Sequence, residues 1–339
     1  MACWMAKLPN IAHSIKVSLQ QTAWMCLRLL MAVSVLEYLG QRVDVVSPVI
    51  VPLAEKSRHK CPFAGFDCPK LLKKPFQPIC SVKKASGKSW IVCPERLCST
   101  SKTRKDVNNV VQPVVLVDSQ KAFLHSIARV VWGDTVERSE VLIDRERQIG
   151  RSHADYVMML DSDRLSPRGA TRVVVEMQGG GETSSTGAIS RNVEAWARDS
   201  NRTNADLSKV VNAGTIETNA WRRQQEQFFI KGNIAQQTHK DCGIVFCVGE
   251  SIYDLLMSKV EHAGLRELKD FSWSLALVCV DSNSDVAAPD LKFNIHQTKQ
   301  FFTNYHAFVR ALTDQGAPSV DTFSGEFDRL SGGTANISI

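Results

Sequence analysis

The chain has 339 residues, 44% apolar and 22% charged, with ten cysteines and a formal net charge of +6. That length gives one large domain or two ordinary ones with a hydrophobic core, and the balance is that of a soluble globular protein. The opening lacks the pattern of a secretory leader, and the apolar run 24–39 is interrupted by Arg28 and Glu37. Export and a membrane span are therefore not expected, which implies a cytoplasmic chain with reduced thiols.

Apolar spacing over residues 22–39 predicts an amphipathic helix ending at Gly40. VDVVSPVIVP (43–52) follows as a strand or extended segment broken by Pro48 and Pro52. Residues 1–55 thus read as an N-terminal helix and extended segment. Between Lys56 and Lys105, thirteen Lys and Arg stand against Asp67 and Glu95, a net charge of +11. The same stretch holds Cys61, Cys68, Cys80, Cys93 and Cys98, with little periodic hydrophobicity. A basic block with clustered thiols reads as a small metal-stapled module at 56–105 facing a polyanion, of which nucleic acid is the usual one. The gaps of six, eleven and twelve residues between the first four cysteines are wider than zinc-ribbon knuckles. Four thiolates without a nearby His still suit a tetrahedral Zn or Fe centre. CPERLC offers either Cys93 or Cys98 as the last ligand. Cys3, Cys26, Cys242, Cys247 and Cys279 are scattered, and burial accounts for them.

VVQPVVLVD (110–118) is a strand candidate, and residues 120–132 have helical spacing. DYVMMLD (155–161) and RVVVEMQ (172–178) are strand-length apolar runs joined by the turn-rich SDRLSPRGAT, an antiparallel hairpin. GGGETSSTG follows as a loop; its glycines lack the G-K-[ST] of a phosphate-binding loop. Helices are expected at 189–197, 221–237, 251–262 and 297–313, and strands at 243–249 and 272–281. The large domain runs from 106 to 330, and the polar tail 331–339 is expected to fray. Mixed helices and strands predict an α/β or α+β fold with a mixed central sheet flanked by helices.

The hairpin carries chemistry. Strand periodicity puts Glu176 and Gln178 on one face with Met177 turned away. With Asp155 opposite Gln178 and Val157 opposite Glu176, Asp155 shares that face, while Asp161 lies roughly 13 Å further along. Two carboxylates and a polar neighbour can hold a hard divalent cation that acidifies a water for phosphodiester hydrolysis. A lone Glu at the end of an apolar strand is also an ordinary surface feature.

LEYLGQRV, KCPFAGFDC, PICSV, WIVCPERL, ADYVMML, RVVVEMQ and NAWRRQQEQFFIKG, in that order, resemble the NotI-type type II restriction endonucleases. These are PD-(D/E)xK nucleases with an added four-cysteine metal-binding domain, and the resemblance spans residues 35–328. It implies that Asp155, Glu176 and the Met177 carbonyl ligate Mg²⁺ and that Gln178 stands where the usual catalytic lysine does. It further implies that Cys61, Cys68, Cys80 and Cys93 bind iron, or zinc, structurally. Family members act as homodimers on GC-rich palindromes in double-stranded DNA, the best-known one at GCGGCCGC, and a cognate DNA methyltransferase is implied. Ala154 replaces the usual Pro before the first acid, and the first thirty residues have no counterpart.

Lys83, Lys84, Lys88, Arg96, Arg222 and Arg223 are the cationic candidates for DNA contact, with phosphates commoner partners than base edges. His153 is a further candidate beside Asp155, and Gln227 one for support behind the site. The expected activity is Mg²⁺-dependent, site-specific double-strand cleavage. The alternatives are a sequence-tolerant repair or mobile-element nuclease, and a non-cleaving DNA-binding protein with a structural metal.

Overall fold

The computed structural model describes residues 32–54, 57–72, 77–98, 100–106, 109–161, 170–178, 186–215, 217–238, 241–283, 292–314 and 324–338. The first elements are β1 (Ala32–Tyr38), β2 (Gln41–Arg42), the helical turn α1 (Pro69–Leu72), β3 (Ile79–Lys84) and β4 (Ser89–Ile91). β5 (Thr103–Lys105) and β6 (Val111–Pro113) make a small ladder before α2 (Asp118–Trp132). Then come β7 (Val141–Ile149), β8 (Ser152–Leu160), β9 (Arg172–Gln178), α3 (Thr186–Arg198), α4 (Asn204–Leu207), β10 (Val211–Asn212) and α5 (Glu217–Thr238). The chain closes with β11 (Cys242–Gly249), α6 (Glu250–Val260), β12 (Leu275–Asn283), β13 (Lys292–Thr303), α7 (Tyr305–Thr313), β14 (Gly325–Asp328) and β15 (Thr334–Ile337).

The architecture is mixed α/β, built on a six-stranded sheet ordered β13-β12-β11-β9-β8-β7. β9, β11 and β12 run parallel, while β13 on one side and β8 and β7 on the other pair antiparallel. Every residue of β11, CGIVFCVG, is buried because both sheet faces are covered, so its sequence is a continuous apolar run. On one face Tyr156, Val173, Val175, Val245 and Val278 pack against Phe123, Leu124, Ile127 and Val131 of α2. On the other, Ile244, Phe246 and Leu277 meet Phe228 of α5, Leu256 of α6 and Phe308 of α7. That second core continues into Val33, Val35, Val82 and Trp90 of the smaller sheet, ordered β10-β1-β3-β4. Among the described residues no helix is long and apolar enough to cross a membrane.

Five expectations are corrected by this arrangement. Ala32–Tyr38 is a strand rather than the end of a helix: AVSVLEY sets Val33 and Val35 inward at period two and pairs with β3. Residues 22–31 of the expected helix lie outside the described residues. The aromatic helix begins at Tyr305, because residues 297–303 complete a strand that sends Phe301 and Phe302 into opposite cores. The cysteine-rich segment is not a separate unit, since its β3 pairs with β1 and shares the main core. The tail forms a β14–β15 hairpin, where Gly332 and Gly333 adopt φ of 94° and 82° beside the turn and the ladder stays exposed. Finally, Tyr156 pairs with Val175 and Val157 with Val174, which puts Asp155 opposite Glu176, two residues from the expected register. A slip of two preserves the face, so the shared side of Asp155 and Glu176 survives. The GGGETSSTG loop and the turn between β8 and β9 fall largely outside the described residues.

Candidate active site

β8 and β9 fix the acid pair through main-chain hydrogen bonds. The Asp155 N–H donates to Glu176 Oε1 at 3.3 Å, and the Met177 N–H donates to Asp155 Oδ2 at 2.9 Å. Each carboxylate is thereby held by the opposing strand. Asp155, Met177 and Gln178 line a cavity of about 310 Å³. Gln224 and Gln227 of α5 form a second wall, and Cys93, Pro94, Glu95, Leu97, Cys98 and Thr100 form a third. Asp155 and the cysteine-rich segment thus open onto one space, with Glu176 buried beside Asp155.

Two further charged groups complete the arrangement. Lys231, one helical turn beyond Gln227 on α5, donates to Glu176 Oε2 at 2.6 Å and to Gln227 Oε1 at 3.2 Å. Lys231 and Glu176 are 4% and 3% exposed, so this is a buried ion pair. On β7, Arg145 and Arg147 pair with Tyr156 and Ala154, which leaves Glu146 across from Asp155. Glu146 has φ of 45°, a left-handed conformation unusual for a residue with a Cβ. The Ser101 hydroxyl and the Lys102 N–H hold its carboxylate, each at 3.3 Å.

Burial, and then the negative charge of Asp155, push the Glu176 carboxyl up to about 8, against the pull of Lys231. Burial also raises Asp155, opposed by the Met177 N–H and Lys231 and assisted by Glu146. Two neighbouring acids with raised affinity for protons are the pattern of a functional site rather than of a solvated surface. Two carboxylates and a main-chain carbonyl suffice for Mg²⁺, which keeps several waters. Among the described residues no three His, Cys, Asp or Glu side chains stand in a metal-holding arrangement as placed.

Cys61, Cys68, Cys80 and Cys93 are all buried. Three of them feel the charge of another: Cys61 that of Cys93 and Cys68, Cys80 that of Cys93, and Cys93 that of Cys68. Backbone N–H groups of Phe63 and Ala64 serve Cys61, those of Lys70 and Leu71 serve Cys68, that of Gly40 serves Cys80 and that of Glu95 serves Cys93. N–H donors turned toward sulfur favour thiolates while burial raises all four thiols, and as placed no three of these cysteines stand in a metal-holding arrangement. Cys98 instead contacts the Tyr156 hydroxyl and packs in the α2 core.

The cationic candidates divide. Arg96 is 5% exposed, and its Nε donates to both Glu37 oxygens at 2.8 and 2.7 Å. Its guanidinium lies between Phe63 and Phe293, 3.9 and 4.2 Å from their ring centroids. A buried, paired and stacked guanidinium cannot reach a phosphate, so Arg96 is structural. Lys84 donates to Ser251 Oγ at 3.2 Å, and Lys88 pairs with Asp254 at 2.5 Å and Glu250 at 3.1 Å, both fastening β3 and β4 to α6. Lys83 is partly exposed, 3.9 Å from Asp44. Arg222 and Arg223 are exposed on α5 ahead of Gln224, and His153 is exposed on β8. Sequence reasoning missed Lys231 and Glu146. The first could have been found from its spacing of four from Gln227 on the α5 helix; the second carried no signal. No protein-family profile matches this chain, and no curated protein matches it at a significant level.

Proposed function

We propose that this chain is a Mg²⁺-dependent, site-specific double-strand DNA endonuclease of the type II restriction class, with a PD-(D/E)xK-like core. The observation that carries this reading is the register of the β8–β9 hairpin, which sets Asp155 opposite Glu176, with Asp155 on the wall of an open cavity and Glu176 buried beside it. Asp155, Glu176 and the Met177 carbonyl would hold Mg²⁺. A bound Mg²⁺ supplies an acidified water and offsets charge on the phosphate. Gln178, on the cavity wall, is suited to orient a water through its amide. Cys61, Cys68, Cys80 and Cys93 would hold iron or zinc and fix the Cys93–Thr100 wall of the same cavity. Lys83, Arg222 and Arg223 are the exposed cations suited to DNA phosphates. The working assembly is a homodimer, one site per strand of a GC-rich palindrome, protected in the cell by a methyltransferase of the same specificity.

The test is digestion of a GC-rich plasmid library in Mg²⁺ with the ends mapped, beside Glu176→Ala. Discrete fragments from the parent and none from the variant support the reading; a smear favours a sequence-tolerant nuclease. The second reading is a DNA-binding protein that does not cut, and one observation favours it: Glu176 Oε2 is already engaged by buried Lys231. A parent that shifts duplex DNA yet leaves it intact would establish that reading.

A further inference from the structure

The described residues lining the active-site cavity include Glu95, Asp155 and three glutamines, Gln178, Gln224 and Gln227, but no Lys or Arg. A phosphodiester entering such a space meets carboxylates and neutral amides. Charge that develops on its oxygens during hydrolysis would find no protein cation on the wall. Lys231 stands directly behind that wall, with its ammonium shared between Glu176 Oε2 and Gln227 Oε1. Gln227 belongs to both the wall and this ammonium, so the charge lies one side chain from the cavity. The neighbouring Gly232 is packed against the Tyr305 ring, whose hydroxyl donates to the Phe229 carbonyl at 2.7 Å, and this clamps the α5 turn that carries Lys231.

We infer that Lys231 is the cation of this site: it holds the acid pair through Glu176 and, relayed by Gln227, offsets the negative charge of a bound phosphodiester. The inference rests on the nuclease reading and assigns the positive charge that Gln178 does not carry. Buried charges inside a low-dielectric wall act on a neighbouring cavity more strongly than exposed ones, which makes a position behind the surface effective.

The experiment compares the full chain with Lys231→Met, Lys231→Arg and the double variant Lys231→Met with Gln178→Lys. One arm is single-turnover cleavage of duplex DNA in Mg²⁺; the other is duplex affinity in Ca²⁺ by fluorescence anisotropy. Lys231→Met is expected to cut at least 100-fold more slowly and to bind duplex at least fivefold more weakly. Lys231→Arg should recover part of both. A lysine at 178, on the cavity wall, should restore cleavage at least tenfold in the Lys231→Met background, an outcome that a merely structural ion pair would not give. Where Lys231→Met does not fold, Gln227→Leu keeps the buried pair, breaks the relay, and should slow cleavage at least tenfold. A parent that cuts while Lys231→Met or, failing that, Gln227→Leu matches it within threefold overturns the inference and leaves the nuclease reading standing. A parent that binds but never cuts overturns the nuclease reading, and the Ca²⁺ arm then decides Lys231 alone. A parent that neither binds nor cuts overturns both.

Discussion

Replacing Arg96 by Met tests the assignment of the most buried cation among the DNA-contact candidates to the scaffold. Met keeps much of the side-chain volume between Phe63 and Phe293, so a cavity contributes little. The dominant effect falls on Glu37, which is 0% exposed and keeps the Ser81 hydroxyl at 2.9 Å. Stranding one partner of a buried pair costs about 3–5 kcal/mol. Loss of the two ring contacts adds about 1 kcal/mol, so a decrease of about 4–6 kcal/mol is expected. Urea unfolding with linear extrapolation reads it directly. Glu37→Leu in the same chain should recover roughly 2 kcal/mol, because an apolar pair needs no counter-charge. A decrease under about 1 kcal/mol, or a weakened affinity for DNA at unchanged stability, would refute a scaffold role.

With iron or zinc held as proposed, Cys80→Ser should lower the metal content found by elemental analysis of the purified protein and destabilise β3 where it meets β1. Because Cys93 lines the cavity, the same variant is expected to slow cleavage as well. Gly232→Ala places a Cβ inside the Tyr305 ring, and overpacking of this kind should cost about 1–3 kcal/mol in urea unfolding. For pH, the folded Glu176 carboxyl lies at about 8, above the unfolded value. The unfolded chain therefore loses its proton first, and the stability this group contributes is present below about pH 4.3 and is lost as pH rises toward 8. Metal-free parent should lose stability between pH 5 and 8 relative to Glu176→Gln, measured by urea midpoints; parallel curves would contradict the raised carboxyl.

The hairpin, α2, α5 and β11 were legible in the sequence because each has a clean periodicity or a continuous apolar run. β7 was not, since VLIDRERQI is mostly exposed along the sheet edge and carries almost no apolar signal. β1 and β13 were misread for other reasons. β1 is buried over most of its length, and its apolar residues satisfy a helical template as readily as a strand, while β13 is a largely polar edge strand whose Phe301 and Phe302 run straight on into the aromatic residues of α7. At the site, the facing of Asp155 and Glu176 followed from strand parity, whereas the exact register depended on a connection without a defined turn signature. The role of Arg96 was hidden because its partners, Glu37, Phe63 and Phe293, are scattered over the chain. Lys231 was visible only once α5 was laid against β9.

The central claim is that Asp155 and Glu176 share one divalent cation, and anomalous diffraction from crystals soaked in Mn²⁺ tests it most directly. A single strong peak is expected between the two carboxylates, beside the Met177 carbonyl, lost in Glu176→Ala. Mn²⁺ absent from that position, or seated instead on the Glu250 and Asp254 carboxylates of α6, would contradict it.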